Sequence, residues 1–591
     1  MSDHSNILWR EWGDDAFAEA KAQDKPVLLD IGAVWCHWCH VMDTGIPGDP
    51  DHTGTYSDPE VQKRILEGFI PIKVDNDRRP DINARYNMGG WPTTAFLTPD
   101  GDTLYGETYV PPPRMIALLD YIADLYRNSK ESILEQAAQM RQQRAESEAL
   151  TASDLDPDTT ATVLKAIRRN FDPVYGGFGS QPKFPHPDAL RLALEEYART
   201  QDPELRAVAE RTLHGMADGG MYDHFAGGFF RYSTTRDWSI PHFEKMLEDN
   251  AKLTSVYALA SQVLDDPYYL EVVKTVHTWL LSDMRDPETG AFAGSQDADK
   301  EEAYYGQPLD VRATLPTPFI DRTVYTGWNA LMVSVLVARY KLTGESDMLE
   351  AAERTMTYIC PKGKPVADVY GLGMAHCYVN GVGQEPGGLL VDQNAVINAA
   401  LDLYEATGNT VYKDDAEHYA LFITSGLVDM DDGFVDSLLS TEAIGDLARP
   451  KKEIGDNADA ALALIRLSGF TEDAKYKQAA ERALRLFADK YSGSGYFAAS
   501  YARAVDAARA PGLHVTIIGD RNDDRTRLLQ RAAWGHVAPG KTVETLDAEA
   551  ATKRGLPADH NGLPYATVCV GTVCRAPVTD AEEMWGQMRS A

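Results

Sequence analysis

The chain has 591 residues, with 57 Lys and Arg against 89 Asp and Glu and a formal net charge of −32. That length excludes a single small module and points to roughly four domains, or two if one is a large helical barrel, while the charge argues against a surface for DNA, RNA or anionic lipid. A 44% hydrophobic content with 10 Trp, 28 Tyr and 17 Phe is ample for large cores, no apolar run nears the length of a membrane span, and 6 cysteines are too few for a disulfide scaffold.

Met1 to Glu11 carries His, Asp and Trp where a secretory signal has a basic start and an apolar stretch, so a cytoplasmic location is expected. Asp14 to Gln23 reads as an amphipathic helix and Pro26 to Ile31 as a short buried strand. A second strand is expected over Phe69 to Asp75, and before it Ser57-Asp-Pro-Glu60 has the form of a capping box opening a helix to about Leu66. Thr94 to Thr98, the turn Pro99-Asp-Gly101 and a strand through Tyr105 make a hairpin. A helix from Pro113 closes this βαβ-ββα order, and the polar stretch Glu131 to Leu150 reads as a connector.

Beyond about residue 155 the pattern becomes long helices, among them Leu190 to Tyr197, Asn250 to Leu264, Asn329 to Leu342, Asn394 to Ala406 and Ala458 to Leu467. Glycine followed by an aromatic or apolar residue recurs at Gly177, Gly228, Gly290, Gly371, Gly433 and Gly495, at intervals of 51, 62, 81, 62 and 62 residues. Each interval fits two helices with their loops, so the expectation is six helical hairpins closed into an (α/α)6 toroid, with an open α-solenoid as the alternative. Leu513 to Ile518 and Ala566 to Val570 read as strands around a helix from Asp523 to Trp534. The expected organisation is an α/β domain over 1–128, a helical connector over 129–154, an all-α toroid over 155–508 and a small mixed α/β elaboration over 509–591.

Trp35-Cys-His-Trp-Cys39 follows the first strand directly, which places Cys36 at a helix start. Unpaired N–H groups and the helix dipole there favour a thiolate, and Cys39, one turn on, is placed to resolve a mixed disulfide. A zinc reading needs two more ligands, for which His37 and His40 stand nearest, and no second Cys-x-x-Cys exists. Gly89-Gly-Trp-Pro92 precedes the third strand, and a cis proline there would sit opposite the cysteines and leave a backbone edge open to substrate. Catalysis is therefore expected from Cys36 and Cys39, with Trp35, Trp38, Trp91 and Pro92 docking a disulfide-containing protein or small thiol. No cofactor, metal, nucleic acid or membrane partner is expected.

The segments Trp35 to Met42, Ile72 to Asp75 with Arg79 to Asp81, and Gly89 to Pro92 with Leu97 to Pro99 resemble the thioredoxin-like domain of the DUF255 family, which includes spermatogenesis-associated protein 20 and bacterial YyaL-type proteins. The resemblance continues through Gly176 to Pro185, Tyr222 to Gly228, Pro241 to Leu247 with Asp249-Asn250, and Asp297 to Asp299, and so covers nearly the whole chain. It implies a thioredoxin fold fused to a six-hairpin glycosidase-like toroid. The chain departs from the family pattern at Pro47-Gly-Asp-Pro50, which ends the cysteine-bearing helix early, after Asp299, and near Gly455-Asp-Asn457.

A toroid gathers its loops at one mouth. Tyr222, Asp223, His224, Arg231, Trp238, His242, Glu244, Asp249, Asp297, Asp299, Trp328, Asn329 and Asp392 are the candidates for its pit. Paired carboxylates suit glycoside hydrolysis and paired histidines a sugar 2-epimerase, with a carbohydrate as the possible ligand. The structural alternatives are that Glu244 opens a helix, that Asp249 pairs with Lys245 or Arg231, and that Asp297 and Asp299 lie in a solvated loop instead of holding a cation. Two further functions stand beside thiol–disulfide exchange: a carbohydrate-active enzyme, and a non-enzymatic protein whose binding senses its redox state. Cys569 and Cys574 read as inert packing or a second redox pair, and Cys360 and Cys377 carry no motif.

Overall fold

An apolar strand buried along its whole length needs cover on both faces, and β1 (Val27–Gly32) has it. The computed structural model describes residues 6–46, 48–298, 304–360, 373–438, 443–449 and 451–590. They form two compact units, one of residues 1–150 with 437–451 and the other of residues 151–436 with 452–591.

In the first unit the order is α1 (Asp14–Gln23), β1, α2 (His37–Thr44), α3 (Pro59–Gly68), β2 (Ile70–Asp75), α4 (Pro80–Tyr86), β3 (Thr93–Leu97), β4 (Thr103–Glu107), α5 (Pro112–Asn128) and α6 (Lys130–Glu148). The sheet runs β2-β1-β3-β4, with β1 parallel to β2 and antiparallel to β3. Alternation along β1 sends Val27, Leu29 and Ile31 into one core with Phe17 and Ile72. It sends Leu28 into the other with Met42, Phe96 and Leu119. The expected helix after Ser57 exists, but its cap is Asp58, whose carboxylate accepts the N–H groups of Glu60 and Val61 at 2.8 and 3.2 Å. Ser57 instead donates to the Gly54 carbonyl. A carboxylate is the stronger acceptor at a positive helix end, which decides between the two.

The helices of the second unit are α7 (Thr159–Asn170), α8 (Pro187–Thr200), α9 (Pro203–Asp218), α10 (Leu247–Val263), α11 (Pro267–Trp279), the single turn α12 (Leu309–Arg312), α13 (Thr326–Thr343), α14 (Ser346–Ile359), α15 (Leu390–Thr407), α16 (Thr410–Gly426), α17 (Ile454–Thr471), α18 (Ala474–Arg485) and α19 (Ala499–Arg509). An inner ring forms as α8, α10, α13, α15, α17 and α19 each pack on the next and α19 returns to α8. Outside them lie α9, α11, α14, α16 and α18, each against its hairpin partner, and α7 closes the outer layer against α19. This is an (α/α)6 toroid. Closure rules out the open solenoid, because an open array leaves its end helices apart.

The glycine-aromatic markers have a mechanical role. In three repeats an amide side chain in the first turn of an inner helix clasps the backbone of the aromatic residue: Asn250 holds the Phe229 N–H and C=O at 2.7 and 3.0 Å, Asn329 holds Phe292 at 2.7 and 3.1 Å, and Asn457 holds Phe434 at 2.9 and 2.9 Å. Gln393 takes the same place on α15, and the Gly371-Leu372 marker lies outside the described residues. The toroid also contains strands that the sequence reading left out, including the hairpin Ala375–Val379 with Val382–Gly387.

The C-terminal region is mixed α/β, as expected, with a four-stranded sheet of its own. Its elements are β5 (Leu513–Ile518), α20 (Asp524–Gly535), β6 (Thr542–Leu546), α21 (Ala548–Lys553), β7 (Tyr565–Val570), β8 (Val573–Cys574) and α22 (Ala581–Arg589). The sheet runs β6-β5-β7-β8, with β5 parallel to β6 and antiparallel to β7, and β7 antiparallel to β8. That order and those directions repeat the sheet of the first unit strand for strand.

Candidate functional site

The chain leaves β1 at Gly32 and turns into α2 at Cys36, which is the N-cap residue. Its sulfur accepts the backbone N–H of Cys39 at 3.2 Å, and the two cysteines are joined as a disulfide with Cα atoms 5.2 Å apart. Cys36 is 4% exposed and Cys39 7%. Trp35 is buried, donates to Asp77 Oδ2 at 2.5 Å and meets the Trp91 ring edge-on at 5.9 Å. Trp91 donates to Asn83 Oδ1 at 3.0 Å, and the Trp91–Pro92 bond is cis. Trp38 stands outward, 38% exposed, between the rings of His52 and Tyr109.

Beneath this pair lies a charged group that the sequence reading missed. Gly32 points at Cys39: a methyl group on it would meet Cys39 Sγ at 3.3 Å. Asp30, two residues earlier on β1, therefore faces the same side. Asp30 is 3% exposed, lies across from Lys73 in the β1–β2 register, and has its Oδ2 3.3 Å from Lys73 Nζ, which also binds Asp43 at 2.7 Å. Asp30 Oδ1 has no hydrogen-bond partner among the described residues. Burial raises the Asp30 carboxyl to about 6 because Lys73, shared with Asp43, offsets only part of the lost hydration. A lone Asp inside an apolar strand was the signal that could have revealed it.

In the toroid the candidates divide. Asp223 is wholly buried, accepts two N–H groups of its own loop, and binds Lys245 at 2.7 Å and Arg312 through both oxygens at 2.7 and 2.9 Å. Burial opposes its ionisation, but Arg312 and Lys245 outweigh that and hold its carboxyl near 2. Asp172 with Lys183 and Arg236 repeats the arrangement one hairpin earlier. Trp238 is wholly buried against Gly177 and Gly215 and donates to the Tyr175 carbonyl, and Asn329 is committed to its clasp. Tyr222 is buried, and His224 donates to the Gly219 carbonyl at 2.9 Å. Asp392 binds His376 at 2.8 Å and the Gly327 N–H at 2.9 Å, while Trp328 packs on Tyr325. The Asp297 N–H donates to Phe319, and Asp299 lies outside the described residues.

Glu244 does not open a helix. It lies between the two-residue strands Pro241–His242 and Lys245–Met246, and α10 begins at Leu247, so its carboxylate bonds His242 at 3.1 Å and not a helix N-terminus. Of the two partners expected for Asp249, Lys245 pairs with Asp223 instead, while the charge of Arg231 does act on the Asp249 carboxyl. His242 stacks on Tyr232, and Tyr232 stacks on Phe184, both at 4.8 Å. The Arg231 N–H donates to the Glu244 carbonyl, which joins this aromatic wall to the strand behind it.

The ring interior is acidic in a way the motifs did not announce. Burial, with Glu248 beside it, raises Asp249 to about 6. Burial and the neighbouring Asp459 and Glu453 raise Asp456 to about 7, and burial with Asp188 raises Asp459 to about 7 although water reaches its carboxylate. Lys252, bound to Glu248 at 2.7 Å, is a cation among them, and Arg231, Arg191 and Arg503 also act on these carboxyls. Among the described residues no three His, Cys, Asp or Glu side chains gather as a metal site, and no helix is long and apolar enough to cross a membrane.

A disulfide at the N-terminus of the helix after the first strand, a cis proline ahead of the third and this sheet order define a thioredoxin-like domain, here fused to an (α/α)6 toroid. Residues 1–145 match the family model described as protein of unknown function, DUF255. The chain is 26% identical to human spermatogenesis-associated protein 20 over 98% of this chain and 89% of that protein. It is 36% identical to thiol:disulfide interchange protein DsbD 1 of Pseudomonas aeruginosa over 93 residues, 15% of this chain and 14% of that one. Cellobiose 2-epimerase from Spirochaeta thermophila is similar in structure at 16% identity and a TM-score of 0.46, covering 63% of this chain and 96% of that one.

Proposed function

We propose that the N-terminal domain is a thiol–disulfide oxidoreductase in which Cys36 attacks and Cys39 resolves. The observation that carries the reading is the Cys36 sulfur at the N-cap, accepting a helix N–H, where a thiolate is stabilised relative to the thiol. In the reduced protein the Cys36 thiolate attacks a substrate disulfide, forming a mixed disulfide and expelling one substrate thiolate. Cys39 then gives up its proton, attacks Cys36 Sγ and releases the second substrate thiolate, which leaves Cys36–Cys39 oxidised by two electrons. Asp30, on the same side of β1 and with one free oxygen, is the group that receives the Cys39 proton. Trp35, Trp38, Trp91 and Pro92 frame the approach of the substrate. The similarity to a thiol:disulfide interchange protein supports the same chemistry. Reduced protein should cleave a model aromatic disulfide, and Cys36→Ser should abolish this. Equal turnover by the serine variant overturns the reading.

A second reading concerns the toroid. Asp249, Asp456 and Asp459 exchange protons near neutrality, as acid–base work on a sugar requires, and the stack Phe184, Tyr232 and His242 offers faces for a pyranose. Turnover on a panel of disaccharides that is lost in both Asp249→Asn and His242→Ala supports it, and turnover unchanged in both refutes those assignments.

A further inference from the structure

The C-terminal sheet carries sulfur at a different place from the first unit. Cys569 on β7 lies directly opposite Cys574 on β8, and the two form a cross-strand disulfide with Cα atoms 3.9 Å apart. This is not the inert packing expected of a buried pair. β8 is a two-residue edge strand, Cys574 is exposed, Cys569 is half-buried, and Val573 beside them is 69% exposed. An incoming thiolate must approach along the S–S axis, and an edge position leaves that approach open. The bond also closes a loop of only four residues, Val570 to Val573, so it removes little chain entropy and contributes little as a staple.

The neighbours of the pair suit exchange. His514 on β5 is in register with Cys569 on the side away from Cys574, so all three side chains share one face of the sheet. Its Nδ1 is bonded to Thr542 Oγ1 at 2.7 Å, and burial lowers its pKa, so the ring is held neutral beside the pair. Arg575 follows Cys574 on the opposite face of the sheet, where its guanidinium is anchored on Ser590, so the exposed sulfur is left uncovered on its own face.

We propose that Cys569–Cys574 is a second, independent thiol–disulfide couple, whose substrate is a dithiol and whose point of attack is Cys574. One thiolate of the dithiol bonds to Cys574 Sγ, the Cys569–Cys574 bond breaks, and Cys569 leaves as a thiolate that takes up a proton. The second thiol of the dithiol then attacks its own bound sulfur, releasing Cys574 as a thiol. The dithiol is oxidised to a disulfide, the protein pair is reduced by two electrons, and the two thiol protons of the donor end on Cys569 and Cys574.

The test uses the full chain as Cys36→Ser/Cys39→Ser, which silences the first couple. The protein is equilibrated in buffers of reduced and oxidised dithiothreitol without denaturant, acid-quenched, alkylated and read by peptide mass. Cys569 and Cys574 should convert together and reversibly from disulfide to two labelled thiols, while the amide exchange of β5 and β7 stays unchanged. A pair that resists excess dithiothreitol until denaturant is added, or one whose reduction unfolds β5 and β7, overturns the proposal by making the bond structural. The same measurement on the unsubstituted chain serves if the double variant does not fold. With a chromogenic aromatic disulfide, Cys574 in Cys569→Ser should react at least about tenfold faster than Cys569 in Cys574→Ser, following exposure. The reverse order overturns the assignment of the attacked sulfur.

Discussion

Replacing Asp30 by Asn tests the charged group beneath the first disulfide. The protein raises the Asp30 carboxyl from an ordinary 3.8 to about 6, with the attraction of Lys73 already included. The native state therefore holds this proton more tightly than the unfolded chain does between those two pH values. The sign follows: stability falls as pH rises through that window, by about 3 kcal/mol in all, and the loss is complete above pH 6. Asn keeps the shape and removes the charge. In the oxidised protein Asp30→Asn should leave β1 unchanged near pH 4 and stabilise it at pH 8 by up to about 3 kcal/mol, roughly a hundredfold in amide protection. Hydrogen exchange read by mass spectrometry on peptides covering β1 and β2, corrected for intrinsic rates, measures this directly. The same variant should slow the resolving step, because Cys39 loses its proton acceptor. A difference in protection that is independent of pH, or that favours Asp30 at pH 8, refutes the argument.

Two further outcomes concern the toroid. Asp223→Ala leaves Lys245 and Arg312 buried without their counter-charge, and chemical denaturation followed by circular dichroism should register a loss of about 3–5 kcal/mol. In the unsubstituted protein the depressed Asp223 carboxyl contributes stability that is present above pH 3.8 and lost as pH falls toward 2, so Asp223→Ala should flatten the acid limb of a stability–pH curve. Asn250→Ala unmakes the clasp on Phe229 and strands its buried N–H and C=O. A cost of about 2–4 kcal/mol is expected in the same assay, and exchange should rise first in the loop before Arg231.

Much of the first unit was legible because its signals are local. Asp14 to Gln23 is the helix the spacing of Phe17 and Ala20 requires, and Cys36 falls at a helix start because the strand before it ends in Gly32. Asp30 was not legible, since nothing in a run of neighbours says that a carboxylate will be buried over a sulfur; that follows from the β1–β2 register and from Lys73, forty-three positions on. The toroid markers were legible as punctuation but not as mechanics. Asn329 read as a pit residue, yet its amide is spent on Phe292, and only the recurrence of Asn250 and Asn457 in equivalent turns reveals a structural part. The acidic interior escaped for the same reason as Asp30. Asp456 and Asp459 sit one turn apart on α17, an ordinary spacing for a solvated face, and it is ring closure that brings Asp188 from α8 and Lys252 from α10 toward them.

The two sheets of identical order carry their sulfurs by different physical means. In the first unit the pair caps a helix, and on the proposed reading the N–H of Cys39 and the helix dipole favour a thiolate at Cys36 once the pair is reduced. In the C-terminal sheet the corresponding turn after β5 reads Gly519-Asp520-Arg521, with no cysteine, and Asp523 is the cap of α20. A carboxylate already occupies the positive helix end there, so a thiolate at that position would gain little. The sulfurs stand instead on the β7–β8 edge, where the exposure of Cys574 takes the place of the dipole. Exchange at that edge is governed by access more than by thiolate stability, and the two couples can therefore differ in reactivity within one chain although the sheets beneath them have the same order.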